Sequence, residues 1–234
     1  MNLIEKVGAI FFMLIFVFVI ALVKFILTPV LSVLNIFIGK KKKSILYFEN
    51  LPIHNAGYQY RALKWSEVLK NEGYKVKILT IVKDDEKWKK LTRNHFKFFA
   101  LYNLSLRIFQ IFISLRYEFI VVRRELLFQN DYGNLFLDKL LLRIHPNAIL
   151  DFDDDISPAK NQPRKIVNWY GKILCEDGDK FNSSLKIYNR FIVASNYLKS
   201  RVLEQNPLVT EREIIVIPTC VDYDLFPSKN YKNR

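Results

Sequence analysis

The apolar residues of the chain fall into two patterns. Residues 7–38 are almost wholly apolar, and only Lys24, Thr28, Pro29, Ser32 and Asn35 interrupt them. From Ser44 onward, short apolar runs of strand length alternate with longer segments whose apolar residues recur at helical spacing. Such alternation predicts βα units, which build a parallel sheet with helices on both faces. The sequence therefore predicts an α/β domain preceded by a membrane-associated segment.

The first segment is predicted to anchor the chain in a membrane. A cleaved signal peptide would have an apolar core of roughly 7 to 15 residues and a small-residue cleavage site, which this segment does not resemble. Residues 7–23 are long enough to cross a hydrocarbon layer of roughly 30 Å at about 1.5 Å per residue. A buried core helix is the alternative.

Lys24 limits how the remainder of this segment is placed. One helix through Ile38 would hold Lys24 near the bilayer centre, at a cost of about 2.5 to 3.5 kcal/mol. We therefore expect a short span followed by an interfacial segment, residues 25–38, bent near Pro29. Lys40 to Lys43 close the segment and place the following domain in the cytoplasm by the positive-inside rule.

The periodicity after Ser44 predicts six strands and five helices. Strands are expected at residues 45–48, 75–82, 119–122, 148–150, 190–194 and 214–217, and helices at 58–71, 96–115, 130–144, 164–181 and 196–205. Residues 83–90 are charged and are expected to form a loop. The aromatic segment 96–115 is expected as a buried helix, with a second membrane contact through its phenylalanines as the alternative.

The loop after the first predicted strand contains candidate ligand-binding residues. Pro52 ends the strand, and Gly57 allows a close approach that a side chain would block. Ligands of open parallel sheets bind outside the carboxyl ends of the strands. An ordinary β-α turn is the alternative. The candidates in this loop and the following helix are His54, Asn55, Gly57, Tyr58 and Arg61.

Four carboxylates follow the fourth predicted strand: Asp151, Asp153, Asp154 and Asp155. Like charges this close are expected to raise one another's pKa values. Such a cluster holds a cation, meets a basic group or acts as acid and base, and Arg61 and Arg123 are placed to supply counter-charge. A solvated loop that caps a helix is the alternative.

Composition narrows the classes of partner. The 234 residues carry a formal net charge of +13 and are 50% hydrophobic, which predicts a folded core and attraction to a polyanion. The apolar segment favours anionic lipid over nucleic acid. Cys175 and Cys220 lie far apart and in no metal-ligand spacing, so neither a zinc site nor a disulfide framework is predicted.

The D-x-D spacing also resembles haloacid-dehalogenase phosphatases. In that family the first Asp would be the nucleophile and the second an acid, here Asp151 and Asp153. The motif usually lies on the first strand, whereas this one is on the fourth, and Thr or Val usually stands at the position of Asp155. This remains a minor alternative.

Five segments in order resemble the amino-terminal domain of a family 4 type glycosyltransferase with the two-domain GT-B fold. They are NAGYQYR, VVRREL, ILDFDDDIS, FIVASNYLKSRV and VIPTCVDYDLF, and the resemblance covers about residues 44–226. It implies a Rossmann-like sheet in which residues 54–61 face the donor diphosphate or the acceptor and residues 151–155 face the interdomain cleft. It further implies that residues 218–226 lead towards a second domain.

The resemblance also implies roles for individual residues. Asp151, Asp153 and Asp154 become the candidate catalytic residues. Arg123, Glu125 and Asn196 join the residues of the first loop as candidates for substrate binding. Neither a metal nor a cofactor is expected. The family chemistry is sugar transfer from a nucleotide-sugar, with hydrogen-bond donors stabilising the leaving diphosphate.

The family's donor-binding domain has no counterpart in these 234 residues. We therefore expect a membrane anchor at 1–43, an acceptor-side domain at 44–226 and the start of a linker or tail at 227–234. The expected function is sugar transfer to a lipid-linked or envelope glycan acceptor, completed by a donor-binding domain. The alternative is a non-catalytic membrane-bound subunit that presents the acceptor to a separately encoded donor-binding subunit.

Overall fold

The structure is a computed structural model that describes residues 3–94, 96–127, 135–155 and 180–219. Its centre is a six-stranded sheet in which all neighbouring strands are parallel, in the order β2-β1-β3-β4-β5-β6. The predicted α/β, Rossmann-like parallel sheet is thereby confirmed. The strands are β1 Lys41–Phe48, β2 Lys75–Leu79, β3 Tyr117–Arg123, β4 Ile149–Phe152, β5 Arg190–Val193 and β6 Ile214–Val216.

Helices connect successive strands and precede the first. They are α1 Leu3–Leu22, α2 Thr28–Phe37, α3 Lys64–Asn71, α4 Asp85–Asn94, α5 Phe96–Ser114, α6 Phe136–Ile144, α7 Lys180–Ile187 and α8 Asn196–Gln205. Two π-helical segments, Val23–Leu27 and Tyr58–Leu63, and one 3₁₀ turn, Glu211–Glu213, complete the described elements. Gly73 follows α3 with a φ of 83°, a backbone conformation that ends a helix at little cost for glycine.

The two faces of the sheet are covered differently. Alternate strand residues such as Leu46, Val122 and Phe152 point into the main core, where they pack with α5, α6, α7 and α8. On the other face Ile45, Tyr47 and Val121 pack against α3. Helices therefore lie on both faces, as predicted, and among the described elements α3 and the helical turn before it, which contributes Ala62, cover the second face.

The N-terminal segment is one long helix rather than a span followed by a separate interfacial piece. Helical conformation continues from α1 through Val23–Leu27 into α2, past Pro29. The π-helical turn explains why Pro29 is tolerated. The Thr28 N–H donates to Val23 O, five residues back, and this wider turn relieves the clash of a proline ring with the preceding carbonyls.

Residues 10–37 form one helix that is long and apolar enough to cross a membrane, with a mean hydropathy of 3.1 in its most apolar window. Only 18% of that window is buried, so the alternative of a buried core helix is wrong.

Two other expectations change. Residues 83–90 are mostly helical, because Asp84 Oδ1 accepts from the Lys87 N–H at 2.6 Å and Trp88 and Leu91 pack on Ile81 and Val82. The expectation of a buried α5 is only half right: its inner face includes the buried Arg107, whereas Phe109 and Phe112 are exposed.

Several predictions fall outside the described residues. They include the start of the helix at 130–144, nearly all of the helix at 164–181, both cysteines, and the chain after Thr219.

Candidate functional site

The carboxyl ends of β1, β3, β4 and β6 meet at one edge of the sheet. The connection from β1 leads to β2 on one side, and the chain then continues on the other side with β3, so the strand order reverses between β1 and β3. Open α/β sheets bind ligands in the crevice outside such a switch point. The loop after β1, the end of β3 and the end of β4 converge here.

A buried ion cluster occupies the centre of this edge. Asp151, at the end of β4, is 2% exposed and accepts from Arg61 Nε at 2.8 Å. Arg123 Nη1 lies 3.6 Å from Asp151 Oδ2, the oxygen that also accepts from the Tyr47 hydroxyl. Burial, followed by the charge of Asp151, raises the pKa of Tyr47 well above its usual value, so the phenol stays a donor.

The outer part of the cluster forms a half-exposed rim. Arg123 Nη2 donates to Asp153 Oδ2 at 2.6 Å, and Arg124 Nη2 donates to Asp153 Oδ1 at 3.0 Å and to Asp154 Oδ2 at 2.7 Å. Asp154 is the most exposed member, with 66% of its side chain accessible. Arg124 has a φ of 61°, which is unusual for a non-glycine residue.

The expectation that these carboxylates raise one another's pKa values is wrong for Asp153. Burial alone would raise the pKa of Asp153, but the charges and hydrogen bonds of Arg123 and Arg124 outweigh burial and hold it below its ordinary value. Three arginines, Arg61, Arg123 and Arg124, face four carboxylates, those of Glu49, Asp151, Asp153 and Asp154. The counter-charge predicted for Arg61 and Arg123 is therefore present in the geometry.

Arg61 also ties the cluster to the last strand. Its Nη1 donates to Ile217 O at 2.7 Å and lies 3.3 Å from Thr219 Oγ1. The side chain is 1% exposed, so it bridges the ends of β4 and β6 from inside the fold.

Sequence reasoning missed the residues that hold the switch point together. Asn50 Nδ2 donates to Arg123 O at 3.1 Å and to Glu125 O at 2.6 Å, which joins the loop after β1 to the loop after β3. Beneath it, Arg107 of α5 is fully buried and donates to Glu49 O, Asn50 Oδ1 and Leu126 O at 2.7 to 2.9 Å. Burial lowers the pKa of Arg107 to about 10, which still leaves it charged at neutral pH.

Glu49 is the second missed group. It is fully buried, and its Oε1 accepts from the N–H groups of Asn50 and Leu51 at 2.8 and 3.0 Å. Its Oε2 lies 3.5 Å from Arg123 Nε. Burial raises the pKa of Glu49 despite the opposing charge of Arg123.

Gly57 brings the first loop against the cluster. A Cβ at this position would lie 3.1 Å from Arg123 Nη2 and 3.2 Å from Asn55 Oδ1, so glycine permits the close approach. Asn55 Oδ1 accepts from the Gly57 N–H at 2.9 Å. His54 and Asn55 are exposed on the outside of this loop, whereas Tyr58 is buried beneath it.

The remaining predicted site residues lie further from the cluster. Glu125 is buried and meets Lys180 of α7 at 2.6 Å. Asn196 is exposed and is the first residue of α8. The cap of this helix is Ser195, whose side chain accepts from the Leu198 N–H at 3.3 Å. Asp155 turns towards α8, where it meets Arg201 at 3.2 Å.

An apolar groove opens on the sheet face that α3 covers. Its volume is about 390 Å³. Its lining is aliphatic and aromatic, and includes Trp65, Phe119 and Ile215. Arg61 and Asp151 also line it, so the buried pair separates the apolar groove from the polar rim.

Within the ranges that the structure describes, no group of three or more His, Cys, Asp or Glu side chains is arranged to hold a metal ion. No protein-family model matches the chain, and no curated protein matches it.

The roles predicted for individual residues stay predictions, and the geometry separates a buried centre around Asp151 from an accessible rim around Asp154.

Proposed function

We propose that this chain is the membrane-attached, acceptor-side half of a GT-B type glycosyltransferase. The observation that supports the proposal is convergence. The ends of β3, β4 and β6 come together around Arg61 and Asp151. The described parts of the five segments that resemble the family are residues 55–61, 121–126, 149–155, 191–202 and 216–219. The first loop joins the same edge through Gly57. A shared edge is what a common ligand site requires.

The transfer itself would replace the bond between the sugar's anomeric carbon and the diphosphate with a bond to the acceptor oxygen. The acceptor hydroxyl must lose its proton, and the nucleoside diphosphate leaves with the electron pair. We assign the removal of this proton to the carboxylate of Asp154, which is accessible at the rim. Asp153 and Arg124 would orient this carboxylate through the ion pairs of Arg124. We assign acceptor binding to His54 and Asn55, which are exposed on the loop after β1.

The buried centre has a different role in this proposal. Asp151 is enclosed by Arg61, Arg123 and Tyr47, so it positions these groups and does not contact the substrate. The same enclosure argues against the phosphatase alternative, because a nucleophile at Asp151 would have to reach a phosphoryl group. The apolar helix at residues 10–37 supports attachment to a membrane, and a lipid-linked acceptor would be presented there.

A non-catalytic subunit that presents the acceptor is the second candidate. The observation that favours it is that Arg61 and Arg123 are already paired with carboxylates, which leaves neither as an open cation for a diphosphate. In both cases a donor-binding domain is required, because half of a cleft cannot hold donor and acceptor in reacting geometry, the source of roughly 7 to 11 kcal/mol of barrier reduction.

The direct test is reconstitution with a donor-binding domain. That domain is fused after Arg234 or added separately, and transfer of radiolabelled sugar from common nucleotide-sugars to membrane lipid is measured. We expect transfer only when both halves are present. Calorimetric titration of the chain alone should show no tight nucleotide-sugar binding. Micromolar donor binding or turnover by the chain alone would contradict the assignment to an acceptor-side half.

A matched pair of variants separates the two candidates. Asp154→Asn should abolish transfer if the rim carboxylate takes the proton. Glu72→Gln removes an exposed carboxylate near the start of β2, at the opposite edge of the sheet, and should leave transfer unchanged. Equal transfer by both variants would favour the acceptor-presenting subunit.

A further inference from the structure

The N-terminal helix is docked on the domain along one side. Phe12, Phe16, Val23 and Leu31 are buried in the main core cluster. The Phe16 ring meets Phe136 of α6 edge to face, with centroids 6.3 Å apart. Near the end of the helix, Asn35 Nδ2 donates to Ile144 O at 2.8 Å. About two dozen residues of the helix therefore lie alongside the domain.

The opposite side of the same helix is apolar and exposed. Phe18, Phe25 and Phe37 are 67%, 72% and 80% exposed. Together with further exposed apolar residues they form a stripe from one end of the helix to the other, which we call the outer stripe. Its further members are Val7, Ile10, Phe11, Leu14, Leu22, Ile26, Val30, Val33, Leu34 and Ile36. An exposed apolar surface of this length on a soluble domain marks a surface for a partner or a membrane.

The charges beside the stripe identify the partner. Lys40, Lys41, Lys42 and Lys43 are exposed directly after the helix, and Lys24 is exposed within it. An apolar stripe bordered by lysines matches the acyl boundary and the anionic headgroups of a phospholipid surface. A protein partner would need acidic groups around an equally long apolar groove.

The contacts of the helix with α6 do not fit a spanning orientation. A spanning helix needs about 20 residues surrounded by hydrocarbon. Here α6 lies beside the second half of the helix, where Asn35 donates to Ile144 O, and meets the first half through the contact between Phe16 and Phe136. α6 also exposes Lys139 and Arg143. Spanning would place these charges in the bilayer, or would break the contacts with α6 and expose its apolar face.

We infer that the helix of residues 7–37 lies in the plane of an anionic membrane, with its inner side on α6 and its outer stripe in the acyl boundary. The inference rests on the proposed membrane attachment and is independent of the sugar-transfer chemistry. The domain is then held against the headgroups along the helix rather than suspended from its end.

Depth measurements on the full chain test this orientation. Single cysteines replace Phe18 and Val30 on the outer stripe and Leu208 on the exposed surface of the domain, in a Cys175→Ser, Cys220→Ser background with unchanged circular dichroism. Each carries an environment-sensitive fluorophore, and vesicles of phosphatidylglycerol and phosphatidylcholine carry nitroxides at shallow or deep acyl positions. Phe18 and Val30 are twelve positions apart, about 18 Å along a helix axis.

We expect both stripe positions to be quenched most strongly by the shallow nitroxide and to the same extent, and position 208 not to be quenched. A tag ahead of Met1 should be cleaved by protease added outside the vesicles. Unequal depths at the two positions, or a protected tag, would establish a spanning helix and overturn the inference while leaving the proposed function standing. Quenching at neither position would overturn both the inference and the membrane attachment.

The lysines give a second readout. Lys41→Gln and Lys42→Gln should each weaken partitioning to anionic vesicles by about fivefold and leave partitioning to purely phosphatidylcholine vesicles unchanged. Equal partitioning of the variants and the parent chain to anionic vesicles would contradict the anionic surface as the partner.

Discussion

Arg61 and Asp151 are ninety positions apart in the sequence, and Arg61 Nη2 lies 2.6 Å from Asp151 Oδ1. Both side chains are almost fully buried. The pair joins the segment after β1 to the end of β4, and Arg61 extends the connection to Ile217 O beyond β6. The side chain of Arg61 therefore connects three strand ends through these two contacts.

The buried pair should dominate the stability of this edge. Asp151→Asn leaves Arg61 without its buried partner and is expected to lower the free energy of unfolding by about 3 to 5 kcal/mol. Asp154→Asn removes an exposed partner of Arg124 and should change the free energy of unfolding by less than about 0.5 kcal/mol. Urea unfolding of the detergent-solubilised chain measures both. Equal losses would show that the rim and the centre are one structural unit.

Arg107 is expected to matter as much as the predicted site residues. Arg107→Met would leave Glu49 O, Asn50 Oδ1 and Leu126 O without their donor inside the fold, at a cost of about 3 to 5 kcal/mol. Arg116→Met is the matched control, because Arg116 is exposed at the turn between α5 and β3. A loss no larger than that of the control would show that these acceptors find other donors.

Asp138 should make the stability of the chain depend on pH. Burial raises the pKa of Asp138 to about 6, although Lys180 and the Tyr188 hydroxyl oppose the shift. Because the folded state binds this proton more tightly than the unfolded state, its contribution is present below pH 4 and is lost as the pH rises to about 6. The loss corresponds to about 3 kcal/mol at roughly 1.4 kcal/mol per pKa unit.

The variant Asp138→Asn isolates this contribution. The difference in unfolding free energy between parent and variant should fall by about that amount between pH 4 and 6. His145, whose pKa burial lowers to about 4, acts in the opposite direction, but it is present in both proteins and cancels in the difference. A difference that is constant with pH would contradict the assigned pKa.

The sequence predicts the sheet well and the site only in outline. Apolar runs place most of the strands within a few residues, and the parallel rule brings the loop after β1 and the aspartates after β4 to one edge. Whether each aspartate is buried or exposed could not be predicted, because this depends on which arginine lies next to that carboxylate. Asp151 is enclosed by Arg61 and Arg123, whereas Asp154, three positions later, stays exposed.

Two further features illustrate the same limit. Arg107 is a charged residue within a strongly apolar predicted helix. Because buried charges are seldom found without partners, the sequence could have indicated that Arg107 has partners inside the fold. The docking of the N-terminal helix on α6 had no such signal. Hydropathy reports how apolar a segment is, but it does not distinguish a face that meets protein from one that meets lipid.

We propose that the chain serves sugar transfer to a lipid-linked or envelope glycan, and deletion of its coding sequence tests this proposal most directly. Mass spectrometry of extracted glycolipids and envelope glycans should show a product shortened by at least one sugar and accumulation of the unextended acceptor. The wild-type chain and Glu72→Gln should restore the profile, whereas Asp154→Asn should not. An unchanged glycolipid and glycan profile in the deletion strain would contradict the account.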